Sequence, residues 1–93
     1  MKLLRISAIW CPACILMRPI YERIIKENNL FSEELDYDFD EDKIKQLNIG
    51  NVLPVAILYD GDHEVLRICG EKKYEEISSK IKELLWKKYY CLY

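Results

Sequence analysis

The spacing of apolar positions changes several times along this chain, and each change predicts a new element. "KLLRISAI", residues 2–9, is rich in apolar residues without clean alternation, which predicts a strand buried on both faces and therefore central in its sheet. From Cys14 the period becomes 3.6: Leu16, Met17, Ile20, Tyr21, Ile24 and Ile25 form one stripe, Arg18, Glu22, Arg23, Lys26 and Glu27 face away, and the helix ends near "ENN". "ELDYDF" alternates, with Leu35, Tyr37 and Phe39 on one side and Asp36 and Asp38 on the other, the pattern of a half-covered edge strand whose charges discourage edge pairing. Asp40 is placed to cap a short helix running to about Asn48, with Glu41 and Asp42 in its first turn where the helix dipole favours negative charge, and Gly50 marks the exit. "PVAILY" and "EVLRI" are β-rich runs joined around Asp60-Gly61, a strong hairpin signal. After Gly70 a last helix is expected to bury Tyr74, Ile77, Ile81, Leu84 and Leu85, with Glu early and Lys late as its dipole prefers.

The predicted order is βαβαββα. Strands joined through a helix must run parallel and strands joined by a hairpin antiparallel, so the fold class is α/β: a four-stranded mixed sheet flanked by three helices. A chain of 93 residues, 51% hydrophobic, carries one modest core, and residues 1–93 are read as one domain without repeats or linkers. Fourteen Lys and Arg against 16 Asp and Glu leave a formal net charge of -2, with no basic face of the kind a polyanion requires, so nucleic acid is not an expected partner. No apolar run approaches the roughly 20 residues that span a bilayer, and Arg5 interrupts the stretch that would serve as a signal peptide. No membrane partner and a cytoplasmic location are expected.

The cysteines change this picture most. Cys11 and Cys14 form one tight pair, while Cys69 and Cys91 are distant singles. In a reducing compartment a tight pair more often signals redox chemistry or metal than a structural disulfide. If Cys11 sits where strand meets helix, the unpaired N–H groups of the first turn and the positive end of the dipole stabilise a thiolate. Cys14, one turn along, is then close enough to form a disulfide with it, and Pro12 fits a first turn that can spare an N–H. Zinc would need about four ligands, and Cys69, Cys91 and His63 lack the second short-spaced pair of a zinc ribbon, so no metal is assigned. Two inert core cysteines would need neither a helix N-terminus nor a proline between them.

These residues lead to a family. "WCPAC" resembles the WCxxC active site of the thioredoxin-like family, Pro19 stands where its members carry a helix-kinking proline, "VLPV" resembles its cis-proline segment, and "YDGDHEVLRICG" resembles its closing hairpin and glycine. The resemblance covers nearly the whole chain, in the small form that lacks thioredoxin's extra N-terminal strand and helix. It implies a thiol-disulfide oxidoreductase in which Cys11 attacks and Cys14 resolves, with no bound cofactor. The implied partners are disulfide-containing protein substrates, and an external reductase or low-molecular-weight thiol as electron donor. Leu53 and Pro54 would offer backbone hydrogen bonds to an extended substrate, Gly70 would keep the groove floor open, Trp10 would form one wall, and Pro12 and Ala13 would complete the contact surface. The rival class is a binding module, in which the same scaffold presents its groove to one partner or ligates a metal centre.

The chain departs from the family pattern in three places. It lacks the lysine before the first cysteine and the second glycine after the last strand that would resemble a glutaredoxin's glutathione site. Pro12-Ala13 replaces the usual Gly-Pro, which leaves the redox potential open. Arg5 stands where the family's buried aspartate would be, and alignment of "DYDFDED" puts Asp36 in place of the family's lysine. Arg5 and Asp36 are therefore expected to face each other across the first two strands as a tentative proton-transfer pair; the alternative is that Arg5 snorkels to solvent. Of the remaining candidates, Cys69 is expected to be a small buried hydrophobe, Cys91 a passive tail residue and His63 solvated. Trp86, Tyr89, Tyr90 and Tyr93 are expected to pin the final helix to the sheet.

Overall fold

A computed structural model describes residues 1–90, with side chains through Lys87. Its elements are β1 (Lys2–Ser7), α1 (Pro12–Glu27), β2 (Phe31–Asp36), α2 (Glu41–Lys45), β3 (Val55–Asp60), β4 (His63–Cys69) and α3 (Tyr74–Tyr90). The strands form one sheet in the order β2-β1-β3-β4, with β1 parallel to β2 and antiparallel to β3, and β3 antiparallel to β4. The expected mixed sheet and edge position of β2 are thus present, and β1 lies in the interior.

Alternation along β1 divides the core in two. Leu3 joins Met17, Tyr21, Ile24, Leu58, Ile77 and Ile81 on the face covered by α1 and α3. Leu4 and Ile6 point the other way, into the cluster of Leu35, Ile44, Val55 and Ile57. Because both faces are covered, β1 and β3 are rich in apolar residues without clean alternation, Arg5 being the exception inside β1. The hairpin turns on Gly61, whose φ of +65° suits a residue without Cβ, and Asp60 pairs with His63 across it.

One strand lies three residues earlier than its pattern predicts. β2 runs over Phe31–Asp36, in parallel register from Lys2 opposite Phe31 to Ser7 opposite Asp36. It stops there because Asp36 folds the chain onto itself: its Oδ1 accepts the N–H groups of Asp38, at 2.8 Å, and Phe39, at 3.2 Å. The alternation of Leu35, Tyr37 and Phe39 therefore spans a strand end and a turn, and Phe39 is 83% exposed. Asp40 does occupy the N-cap of α2, but its carboxylate accepts the N–H of Asp36 at 2.9 Å and caps nothing.

Two smaller expectations also change. Cys69 is exposed, because it ends β4 at the sheet edge, and Trp86 on α3 is 59% exposed. The side chains of Tyr89 and Tyr90, and residues Cys91 and Tyr93, lie outside what the structure describes.

Ile57, fully buried on β3, should cost roughly 2–5 kcal/mol when cut to Ala, whereas Phe39→Ala should cost under about 0.5 kcal/mol. Urea denaturation of the two variants checks this, and a loss above about 2 kcal/mol for Phe39→Ala would return that ring to the core.

Candidate active site

β1 ends at Ser7 and α1 begins at Pro12, so four residues turn the chain from the sheet into the helix. The turn closes with the Cys11 N–H donating to the Ala8 carbonyl at 3.2 Å. Cys11 is the N-cap of α1, extended at φ -98° and ψ 108°, and its Sγ accepts the N–H of Cys14 at 3.2 Å. A thiol thus fills the role that a serine or aspartate oxygen fills at other helices. Pro12 at the first helical position loses no hydrogen bond by lacking an N–H. No acidic residue lies in the first turn of α1, so nothing there opposes negative charge on the sulfur.

The sulfurs sit in an apolar setting. Cys11 and Cys14 cluster with Ala8, and Ala13, Tyr37 and Leu53 pack against them. Both cysteines are free thiols and each is 6% exposed, so exposure does not distinguish them. Hydrogen bonding and charge do. Burial is the largest cause pushing the Cys14 thiol up to about 11; the hydrogen bond with Cys11 and the charge of Cys11 add to it, a backbone hydrogen bond with Ala8 opposes it, and the charge of Glu34 contributes last.

The other expected site residues are distributed as follows. Trp10 is 59% exposed beside the pair, with its Nε1 donating to Asp38 Oδ2 at 2.8 Å and its ring edge-on to Tyr37 at 6.1 Å between centroids. Asp38 and Tyr37 were not singled out in the sequence. They reach the site only because Asp36 ends β2 early, and the short run of aspartates in "DYDFD" was the available signal. The Leu53–Pro54 peptide bond is cis; Leu53 lies against the cysteines and Pro54 is buried. The Pro54 carbonyl accepts the Gly70 N–H at 2.8 Å. Gly70 has φ +77°, and a Cβ there would stand 3.3 Å from Val52 Cγ1, so both backbone and space call for glycine. Pro12 is exposed at the mouth of the site.

Arg5 and Asp36 are not a pair. Parallel register puts Arg5 opposite Glu34, while Asp36 falls opposite Ser7, two residues further on. The Asp36 carboxylate is occupied in its own turn. Arg5 does not snorkel into bulk water either: its side chain is 17% exposed, its Nη1 lies 3.8 Å from Glu34 Oε2, and its Nε is buried without a hydrogen-bond partner. Arg18 Nη2 lies 3.5 Å from the other Glu34 oxygen, so Glu34 stands between two guanidinium groups. A cavity of about 410 Å³, lined by Ala8, Ile9 and Ile15 as well, brings Glu34, Arg18, Asp36 and Asp40 to the same space as Cys14. Among the described residues, no group of three or more His, Cys, Asp or Glu side chains is placed to hold a metal ion.

The folded protein holds the Cys14 proton more tightly than the unfolded chain does. Between pH 9.0 and about 11 the unfolded chain has released a proton that the native state keeps, so stability should fall as pH rises through that window. Urea midpoints measured across it should drop for the wild type and drop less for Cys14→Ser. Glu34→Gln removes a negative charge near Cys14 and should move its thiolate titration, followed by ultraviolet absorbance, to lower pH; an upward shift would contradict the placement of Glu34.

Comparison with known proteins agrees with this geometry. The thioredoxin family model, described as "Thioredoxin", matches residues 1–83. A curated relative, the bifunctional thioredoxin reductase/thioredoxin of Mycobacterium leprae, is 33% identical over 67 residues; these make up 70% of this chain and only 14% of that longer protein. Thioredoxin 1 of Thermosipho africanus superposes with a TM-score of 0.87 at 22% identity, covering 95% of this chain and 98% of the other. Thioredoxin NaTrxh of Nicotiana alata superposes with a TM-score of 0.77 at 24% identity, over 88% and 70%. At these identities the structural likeness speaks for the fold alone. The family match, however, runs unbroken from β1 through the dithiol and the Leu53–Pro54 segment into α3, and it makes this chain a member of the thioredoxin family.

Proposed function

We propose that this protein is a thiol-disulfide oxidoreductase that reduces protein disulfides through the Cys11/Cys14 dithiol. The observation that carries the reading is the capped sulfur: Cys11 Sγ receives a backbone N–H at the start of a helix with no acidic residue in its first turn, and its resolving partner is the residue that donates that N–H. The Cys11 thiolate attacks one sulfur of a substrate disulfide; the substrate S–S bond breaks, a Cys11-substrate disulfide forms and one substrate thiolate leaves. Cys14 then loses its proton and attacks Cys11 Sγ, releasing the second substrate thiolate. The substrate gains two electrons, and the protein is left with a Cys11–Cys14 disulfide for a donor to reduce.

The order of events is favoured by the electrostatics of Cys14. Its hydrogen bond with Cys11 and the charge on Cys11 both hold its proton in place. Both influences vanish once Cys11 is bonded to substrate, so Cys14 becomes more acidic at the stage that needs its thiolate. The cavity shared with Glu34, Asp36 and Asp40 offers the departing proton a route out. Around the sulfurs, Trp10, Pro12 and Ala13 form one lip and Leu53, Pro54 and Gly70 the other. The backbone beside Leu53 is the edge against which an extended substrate would pair.

The M. leprae relative's name joins a thioredoxin to a thioredoxin reductase. An external reductase of that kind is the electron donor in this reading, with a low-molecular-weight thiol as substitute, and a reducing cytoplasm is the setting. No helix among the described residues is long and apolar enough to cross a membrane.

Insulin reduction driven by dithiothreitol should be catalysed by the wild type and abolished in Cys11→Ser. Cys14→Ser should instead accumulate a mixed disulfide visible by non-reducing electrophoresis. Because Cys14 holds its proton up to about 11, iodoacetamide at neutral pH should label Cys11 first. Wild-type inertness toward insulin, or faster labelling of Cys14, would overturn the assignment.

A further inference from the structure

The segment from the end of α2 to Pro54 carries Leu53 to the dithiol, yet it contains no regular structure. Its backbone is left-handed at Asn48, φ +53°, and again at Gly50, φ +73°. α2 is only five residues long and ends with the Leu47 N–H donating to the Ile44 carbonyl at 2.9 Å. Two posts hold this bridge, one on β4 and one at the residue that follows it. At the downstream end, the Gly70 N–H donates to the Pro54 carbonyl at 2.8 Å. At the upstream end, Arg67 Nη1 donates to the carbonyls of Leu47, at 2.8 Å, and Asn48, at 3.2 Å.

Arg67 is built for that task. Its Nε and Nη2 donate to the two carboxylate oxygens of Glu64 at 2.8 and 2.7 Å, a bidentate pair that fixes the plane of the guanidinium. Four of its five N–H groups are thereby engaged, and its side chain is only 28% exposed. Beyond the grip, Ile49 is buried in the cluster under α2, Val52 is exposed, and Leu53 rests against Cys11 and Cys14. A lysine could not hold two carbonyls and a carboxylate at fixed angles from the same position.

We propose that Arg67 is a positioning residue for substrate binding: with Glu64 holding its guanidinium in place, it fixes the start of the 48–54 segment and so sets where the backbone at Leu53 meets an extended substrate. This rests on the oxidoreductase reading above. Arg67 touches neither sulfur, so its effect falls on the docking of a polypeptide and spares the thiol chemistry.

The test compares two substrates. With insulin, Arg67→Met should raise KM by about tenfold while kcat stays within about twofold, the size expected when charge-assisted hydrogen bonds are lost. With 5,5′-dithiobis(2-nitrobenzoate), a disulfide with no polypeptide to dock, the rate should stay within about twofold of wild type. Arg67→Lys should fall between. An unchanged KM for insulin in folded Arg67→Met, or equal losses on both substrates, overturns the proposal. A second measurement is independent of catalysis: amide hydrogen exchange at residues 49–53 should quicken in Arg67→Met while exchange in β1 and β3 does not. If the wild type reduces neither substrate, the oxidoreductase reading fails, and unchanged exchange at residues 49–53 would then overturn the positioning role separately.

Discussion

A single backbone N–H aimed at a sulfur organises this molecule. Cys14 donates to Cys11 only if residue 11 is the N-cap of α1, and it can be the N-cap only if β1 stops short of it and the chain turns at Ala8. β1 must in turn lie inside the sheet, flanked by β2 and β3, for its end to open among Leu53, Tyr37 and Ala13 instead of at a sheet edge. The buried strand, the tight turn, the proline at the first helical position and the capped thiol are successive consequences of one requirement: reactive sulfur at the positive end of a helix that is fixed to a rigid strand.

The same arrangement gives two chemically identical residues different surroundings. Both cysteines are 6% exposed, but they stand at opposite ends of the hydrogen bond between them. Cys11 receives a donor, whereas Cys14 is held protonated by burial first and by its neighbour second.

Beside Cys14, the strand pair carries a partly buried charge cluster. A central-strand arginine would be costly to bury alone, and Glu34 on the neighbouring strand answers it, with Arg18 from α1 on its other oxygen. The carboxylate whose charge acts on the Cys14 thiol thus comes from β2 and not from the strand that leads into the dithiol. It borders a cavity shared with Cys14, and Leu53 packs against the cysteines.

Much of this was legible in the sequence, and the parts that were not share a cause. Elements defined by a strong local signal stood close to where their patterns put them: the apolar-rich runs of β1 and β3, the helices α1 and α3, the Asp60-Gly61 turn, and the CxxC at a strand-to-helix junction; within the α1 stripe, Leu16 is 65% exposed where the pattern would bury it. Periodicity and turn chemistry act between near neighbours, so the chain alone determined them, together with the dithiol and its family. What tertiary structure decided was register. Alternation in "ELDYDF" continues through a strand end without a break, because the Asp36 side chain that ends the strand acts through hydrogen bonds to backbone two and three residues on, which polarity does not reveal. An offset of two residues in that strand was enough to exchange Glu34 for Asp36 as the partner of Arg5, since residues two apart share a face and differ only in which neighbour they meet. The hold of Arg67 on Leu47 and Asn48 was invisible for a related reason. It joins a β4 side chain to the end of a helix some twenty residues away, and only the folded sheet brings the two together.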